Sequence, residues 1–285
     1  MIANAMTVDV EDYFQVSAFE NIITRQDWDK HPHRVEANTH KVLDIFAAKN
    51  IKATFFTLGW VAERYPGVVK RIVDDGHELA SHGYYHVRVV NQTPQEFYAD
   101  ITKTKALLED LGGVAVKGYR AASYSIGKKN LWAFAELERA GYRYSSSVYP
   151  IKHDLYGMPD APRFKYYPNG ETGILEIPVS TQKILGKTFP CGGGGFFRFY
   201  PYGVSKWALK RMNDSEAEPG MFYFHPWEID PDQPRQSQAS KKAKFRHYLN
   251  LHKMQSRLEK LIDDFEWRRM DEVFLDVGSA VAQAD

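Results

Sequence analysis

Short apolar and β-branched runs recur along this chain, and longer segments with apolar residues at helical spacing lie between them. That alternation is the strongest constraint on the fold. Strands are expected near residues 6–11, 53–58, 78–81, 118–121, 142–148, 174–180 and 221–225. Helical spacing falls at about 39–49, 61–75, 94–111, 128–140 and 204–212. Thr93, Pro94 and Glu96 are the residue types of an N-cap, a first turn and a capping box, and Gly112-Gly113 stops that helix. Strands alternating with helices predict an α/β fold with a parallel sheet. No G-x-G-x-x-G follows the first strand, so the dinucleotide signal is missing. The expected fold is a distorted (β/α)7 barrel with a C-terminal helical extension.

The barrel is expected over residues 1–230. Residues 231–285 then form a linker and a long helix, about 241–265, packed on the barrel, with a frayed tail from Ala280. Two regions interrupt the rhythm and read as long loops: residues 153–171, and residues 192–202 with their four glycines and run of aromatics. There is no internal repeat.

Charge excludes one class of partner. Lys and Arg number 37 against 36 Asp and Glu, so nothing favours a polyanion, and nucleic acid is not the expected partner. Cys191 is the lone cysteine, which rules out an internal disulfide framework and fits a reducing compartment. No basic cluster surrounds it, so it is not expected to be a nucleophile. The N-terminus lacks a basic segment before its apolar run, and no stretch reaches the ~20 apolar residues of a membrane span. The sequence therefore reads as cytoplasmic, with no transmembrane segment.

The chemistry-bearing residues sit where strands should end. Asp9, Glu11 and Asp12 close an apolar run, and buried carboxylates need partners or a metal. Asp9 and Glu11 share a face of a strand, while Asp12 turns away or caps the following helix. His82 and His86 have the i, i+4 spacing that lets two rings converge, although such pairs are also common on surfaces. They follow the apolar run that would set them beside Asp9. A carboxylate and two histidines, with positions left for water and substrate, form a catalytic rather than a structural zinc-type set. Arg120 ends the fourth strand, and an arginine beside Asp9 holds it ionised. His225 ends the last strand, ahead of Pro226-Trp227. Ser123 and Tyr124 follow Arg120 and, with Trp227, are the candidate substrate contacts. Trp60 and the aromatics of 196–202 are further candidates for stacking on sugars, and each singly also suits a core.

D-x-E near the start, H-x-x-x-H in the middle, an arginine motif after a strand and a late F-H-P, in that order, resemble the NodB-homology polysaccharide deacetylases, carbohydrate esterase family 4. The opening V-D-V-E-D-Y-F is similar to the deacetylases of exopolysaccharide loci with exosortase systems. The resemblance spans about residues 5–230, and 230–277 resembles the extra segment of that subgroup. It implies the NodB-type barrel of glycoside hydrolases and deacetylases, with Asp9 as general base, tethered by Arg120. Glu11 is the carboxylate ligand, with Asp12 the alternative, His82 and His86 complete the metal site, and His225 is the general acid. The metal implied is Zn2+, with Co2+, Ni2+ or Mn2+ as substitutes. The implied activity is removal of N-acetyl groups from an amino-sugar polysaccharide or its lipid-linked precursor. The alternatives are a deformylase or amidase on a small N-acyl substrate, and a glycan-binding protein that has lost catalysis. Two positions depart from the family pattern: Ala121-Ala122 replaces a proline-bearing arginine motif, and Ser145 stands where relatives tend to carry Asp. The second departure bears on the tuning of His225.

Overall fold

The computed structural model describes residues 2–153, 156–170 and 172–275. The first strand, β1 (Asn4–Val10), is buried along its whole length, as a strand covered on both faces must be. After an irregular stretch containing two short 3-10 turns come α1 (Val35–Ala48), β2 (Thr54–Thr57), α2 (Gly59–Arg64), α3 (Pro66–Asp74) and β3 (Glu78–Ser81). Pro66 starts a new helix within the segment 61–75, where periodicity alone predicts one. Then follow α4 (Pro94–Gly112), β4 (Gly118–Tyr119), α5 (Trp132–Arg139), β5 (Tyr144–Ser145) and β6 (Leu175–Glu176). The capping box of α4 forms as its residue types predict: Glu96 N donates to Thr93 Oγ1 at 3.3 Å, and Thr93 N donates to Glu96 Oε2 at 2.8 Å.

All pairings within the main sheet are parallel. β1 pairs with β2 on one edge, and β3, β4, β5 and β6 follow in turn. On its other edge β1 pairs with β9 (Met221–Phe224), Ala5 opposite Met221 and Val8 opposite Phe224. The gap between β6 and β9 is narrowed by single bonds: Met221 N to Ser180 Oγ at 2.6 Å, Gly192 N to Ser180 O at 3.1 Å and Tyr223 N to Gly192 O at 2.8 Å. The result is a curled parallel sheet flanked by helices, the distorted (β/α)7 barrel.

Two features were not visible in the sequence pattern. A hairpin, β7 (Thr181–Ile184) and β8 (Lys187–Pro190), turns through Leu185 and Gly186, both at positive φ. The glycine-rich stretch is not a loop: its last two glycines open α6 (Gly194–Phe199), which leads into α7 (Tyr202–Glu216). A Cβ on Gly192 would stand 2.5 Å from Met221 O, and one on Gly193 would stand 2.6 Å from the Tyr223 ring, so these glycines permit close packing on β9.

The C-terminal region also departs from expectation. The single long helix is two, α8 (Lys241–Tyr248) and α9 (Leu251–Asp264), broken at Asn250, whose φ is 52°. Residues 230–239 are no free linker, because Asp230 takes two bonds from the Arg34 guanidinium and one from Asn38, and Gln233 is buried. β10 (Trp267–Arg268) then pairs with the start of β1, and α10 (Met270–Phe274) follows. The stretch after 230 is thus woven into the sheet rather than laid over it. The expected tail from Ala280, with positions 154, 155 and 171 of the first long loop, lies outside the described residues.

Candidate active site

Parallel strands point their C-terminal ends one way, and the candidate residues gather there. Asp9 is the penultimate residue of β1 and Glu11 follows the strand; His82, Arg120 and His225 come directly after β3, β4 and β9. Arg120 is fully buried and donates from Nη1 to Asp9 Oδ1 at 2.5 Å and to Thr7 Oγ1 at 2.9 Å. Its other nitrogens reach Ser146, and its guanidinium lies 3.9 Å over the Phe56 ring. A buried cation held on every side fixes one oxygen of Asp9 and leaves Oδ2 to the site.

Glu11, His82 and His86 form the metal-type cluster. One ligand atom from each lies within 4.8 Å of the other two, and all three residues are buried. Glu11 Oε2 stands 3.0 Å from His86 Nε2 yet accepts no well-directed hydrogen bond, leaving a buried oxygen with an open lone pair. Oε1 accepts from Trp227 Nε1 at 3.3 Å. Burial opposes the charge on Glu11, but His86, His225 and His82 outweigh it and hold the carboxyl down to about 2. His82 Nδ1 pairs with the Arg120 carbonyl at 2.8 Å, which makes Nδ1 the donor and turns the Nε2 lone pair to the cluster. Burial pushes His82 down to about 4, so it is neutral, as a ligand must be. His86 sits at φ 51°, a strained position for a non-glycine residue, while Arg25 donates to the carbonyls of Tyr85 and His86. An orphaned carboxylate oxygen beside two imidazoles fits a divalent cation.

Asp12 stands apart from this cluster. Its Oδ2 accepts from Arg34 N at 2.6 Å and Val35 N at 2.9 Å, and its Oδ1 from Tyr13 N at 2.8 Å. It satisfies the free N–H groups at the start of α1, so the structure gives it a capping task rather than a place among the ligands.

His225 faces the cluster from the far side, with Nε2 3.5 Å from Glu11 Oε1 and 3.9 Å from Asp9 Oδ2. Its Nδ1 lies 2.8 Å from Glu228 Oε1. Burial lowers its affinity for a proton, but Glu11, Glu228 and Asp9 reverse that and raise it to about 9. Glu228 was missed by sequence reasoning. Its signal is the Pro226 and Glu228 that follow His225 at capping-box spacing, where the glutamate folds back onto the cap residue. Ser145, at the position where an aspartate was looked for, bonds Ser147 Oγ at 2.8 Å instead.

The expected substrate contacts divide. Ser123 and Tyr124 are both left-handed, at φ 53° and 49°, and Ser123 Oγ is 2.7 Å from Ser17 Oγ. Ser17 lines a cleft of about 220 Å³, with Phe14, Gln15, Arg25 and Trp28, that ends at His86. Trp227 is only 5% exposed and stacks with His225 and His247, so it has no open face for a sugar; Trp60 is buried too. His247 is buried, and its Nε2 meets Gln233 Oε1 at 2.6 Å. Cys191 is pushed up to about 12 by burial, which leaves it no nucleophilic role.

Residues 25–145 match the family model described as polysaccharide deacetylase. Through that segment, under half of its length, the chain is similar to the polysaccharide deacetylases. Residues 146–275 match a model described as a domain of unknown function, DUF3473. Among curated proteins it is similar to a peptidoglycan-N-acetylglucosamine deacetylase of Bacillus cereus, 40% identical over 96 residues, 33% of this chain and 35% of that one. A peptidoglycan-N-acetylglucosamine deacetylase of Listeria monocytogenes is 41% identical over 75 residues, 26% of this chain and 16% of that one. The chain thus spans about a third or less of these curated relatives. A solved Mycobacterium smegmatis structure assigned to the polysaccharide deacetylases superposes with a TM-score of 0.60 at 18% identity, over 95% of this chain and 88% of that one. At that identity the likeness is one of fold. Asp9 and Glu11 precede the deacetylase segment, whereas His225 and Glu228 lie in the second one.

Proposed function

We propose that this protein is a divalent-metal-dependent deacetylase, a hydrolase that removes N-acetyl groups from an amino-sugar polysaccharide or its lipid-linked precursor. The observation that carries the reading is the convergence at one sheet end of Asp9 tethered to Arg120, the Glu11–His82–His86 cluster, and His225 across from both. The activity named for the curated relatives supports the same substrate class. The opening motif and the second segment support an exopolysaccharide role. The lone cysteine supports a cytoplasmic site of action.

Glu11, His82 and His86 would hold the cation, Zn2+ first by the chemistry of the donors. Bound there, it supplies Lewis acidity toward an acyl oxygen and a hydrolytic water. Asp9 Oδ2, the oxygen Arg120 leaves free, takes the proton as water adds to the acyl carbon. Arg120 keeps Asp9 aimed without competing for that proton. His225 delivers a proton from Nε2 to the amine nitrogen as the C–N bond breaks, and acetate and a free amino sugar result. Burial of Asp9, Glu11, His82, His86 and Arg120 keeps bulk water from screening them, while His225 stays partly open to solvent.

The test is acetate release from N-acetylglucosamine oligomers by the purified protein, before chelation, after it, and with Zn2+ or Co2+ restored. Release that falls on chelation and returns with metal is the expected result. No release while metal stays bound would replace the acetyl substrate with another N-acyl group.

A further inference from the structure

The segment of unknown function brings its own apparatus to the acid side of the site. Glu228 is fully buried, and its two oxygens face different partners. Oε1 accepts from His225 at both Nδ1, 2.8 Å, and backbone N, 3.1 Å. Oε2 accepts from Arg198 Nε at 2.6 Å. Arg198, itself buried, donates from Nη1 to the carbonyls of His247 at 3.0 Å and Leu249 at 2.6 Å, and from Nη2 to that of Arg246 at 3.2 Å. Those carbonyls form the end of α8 and the turn into α9. Gly194 makes room for the pair, because a Cβ there would stand 2.3 Å from Glu228 Oε1 and 2.5 Å from Oε2. A carboxylate on Nδ1 fixes which nitrogen keeps its hydrogen and which way the ring faces. The free nitrogen, Nε2, is the one that faces Asp9 and Glu11.

We propose that Glu228 is the positioning residue for His225 and that Arg198 holds Glu228 in place. Residues 146–275 thereby supply the proton-donating half of the active site. The proposal rests on the reading of His225 as the donor to the leaving amine. In that step the His225 Nε2–H bond breaks, an N–H bond forms on the amine nitrogen, and the C–N bonding pair passes to that nitrogen. Glu228 stays ionised throughout and keeps the Nδ1 hydrogen bond. The turn between α8 and α9, through Arg198, sets where the imidazole points. A buried ion pair with a purely structural task would affect stability alone.

The experiment compares the full chain with Glu228→Ala, Glu228→Asp and Gly194→Ala. Acetate release, metal content and the imidazole 15N–1H spectrum are measured on each, with the His225 signals assigned by His225→Asn. Glu228→Ala is expected to lower kcat about 10²-fold or more, with KM and metal content nearly unchanged. It should also remove the hydrogen-bonded Nδ1–H resonance of His225. Glu228→Asp should restore part of both. If Glu228→Ala does not fold, Gly194→Ala carries the test, since it displaces the carboxylate while leaving every charge in place. A folded variant with the resonance and kcat unchanged overturns the proposal. If the parent chain releases no acetate, the spectrum alone decides: loss of the resonance in the variant supports the positioning role, and its retention overturns it.

Discussion

At the scale of single residues, the site turns on which carboxylate has a free oxygen. Asp9 gives one to Arg120 and keeps one for the site, Glu11 keeps an unpaired oxygen beside His86, and Asp12 gives both to backbone N–H groups. Asp9→Asn is therefore expected to cut kcat about 10²–10⁴-fold while metal binding persists. Unchanged turnover would remove Asp9 from the role of base. Asp12→Ala should instead cost about 2 kcal/mol of stability by uncapping α1, with metal stoichiometry intact. Loss of the metal with no loss of stability would return Asp12 to the ligand set. The residues the sequence offered at this scale lie at strand ends beside apolar runs, where a buried polar group needs a partner. Glu228 escaped notice because its neighbours make it an ordinary helix-start glutamate, and only the fold brings Arg198 to it from thirty residues away. Trp227 misled for the opposite reason: an aromatic after an exposed histidine suggests a platform, but α8 covers it with His247.

At the scale of elements, periodicity and caps located strands and helices that stand on local chemistry. The α4 capping box is the clearest case. What it could not see were breaks set by one residue's backbone, such as Asn250 between α8 and α9, or a hairpin turning on Leu185-Gly186 with no Asn or Asp to announce it. His77, between α3 and β3, ties that turn to the residue before β2: its Nδ1 accepts from Ala53 N at 3.1 Å and so must be unprotonated. Burial, reinforced by Lys52, pushes it down to about 4 from 6.5. Between those values the unfolded chain binds the proton and the folded one does not, so stability falls as pH drops through that window. The loss should reach about 3 kcal/mol by pH 4. His77→Asn, whose amide oxygen can take the same bond, should remove that share of the acid sensitivity in paired urea denaturation curves. Parallel curves for the two proteins from pH 7 to pH 4 would contradict this.

For the whole molecule, the division suggested by composition gave way to one sheet built from both ends of the chain. β10 pairs with the start of β1, Trp267 is buried with its Nε1 bonded to Leu261 O at 3.1 Å, and its ring meets Phe222 of β9. Trp267→Ala is expected to cost about 3–5 kcal/mol and to unfold the barrel as one unit. A cost under about 1 kcal/mol would mean that the C-terminal strand is an accessory. No sequence window could foresee this pairing, because two residues of strand more than 250 positions from their partner carry no periodic signal.

The same interleaving gives the site its composition. The proposed base, Asp9, comes from the first strand and the proposed carboxylate ligand, Glu11, from the residue after it, the histidine pair from residues 25–145, and the proposed acid from the segment that follows. The most direct measurement of that claim is a crystal structure of the metal-soaked protein with anomalous diffraction collected at the zinc edge. The account predicts one strong peak about 2.0–2.2 Å from Glu11, His82 and His86, with Asp12 still on the backbone of α1. A peak on other residues, or none in protein that still releases acetate, would contradict it.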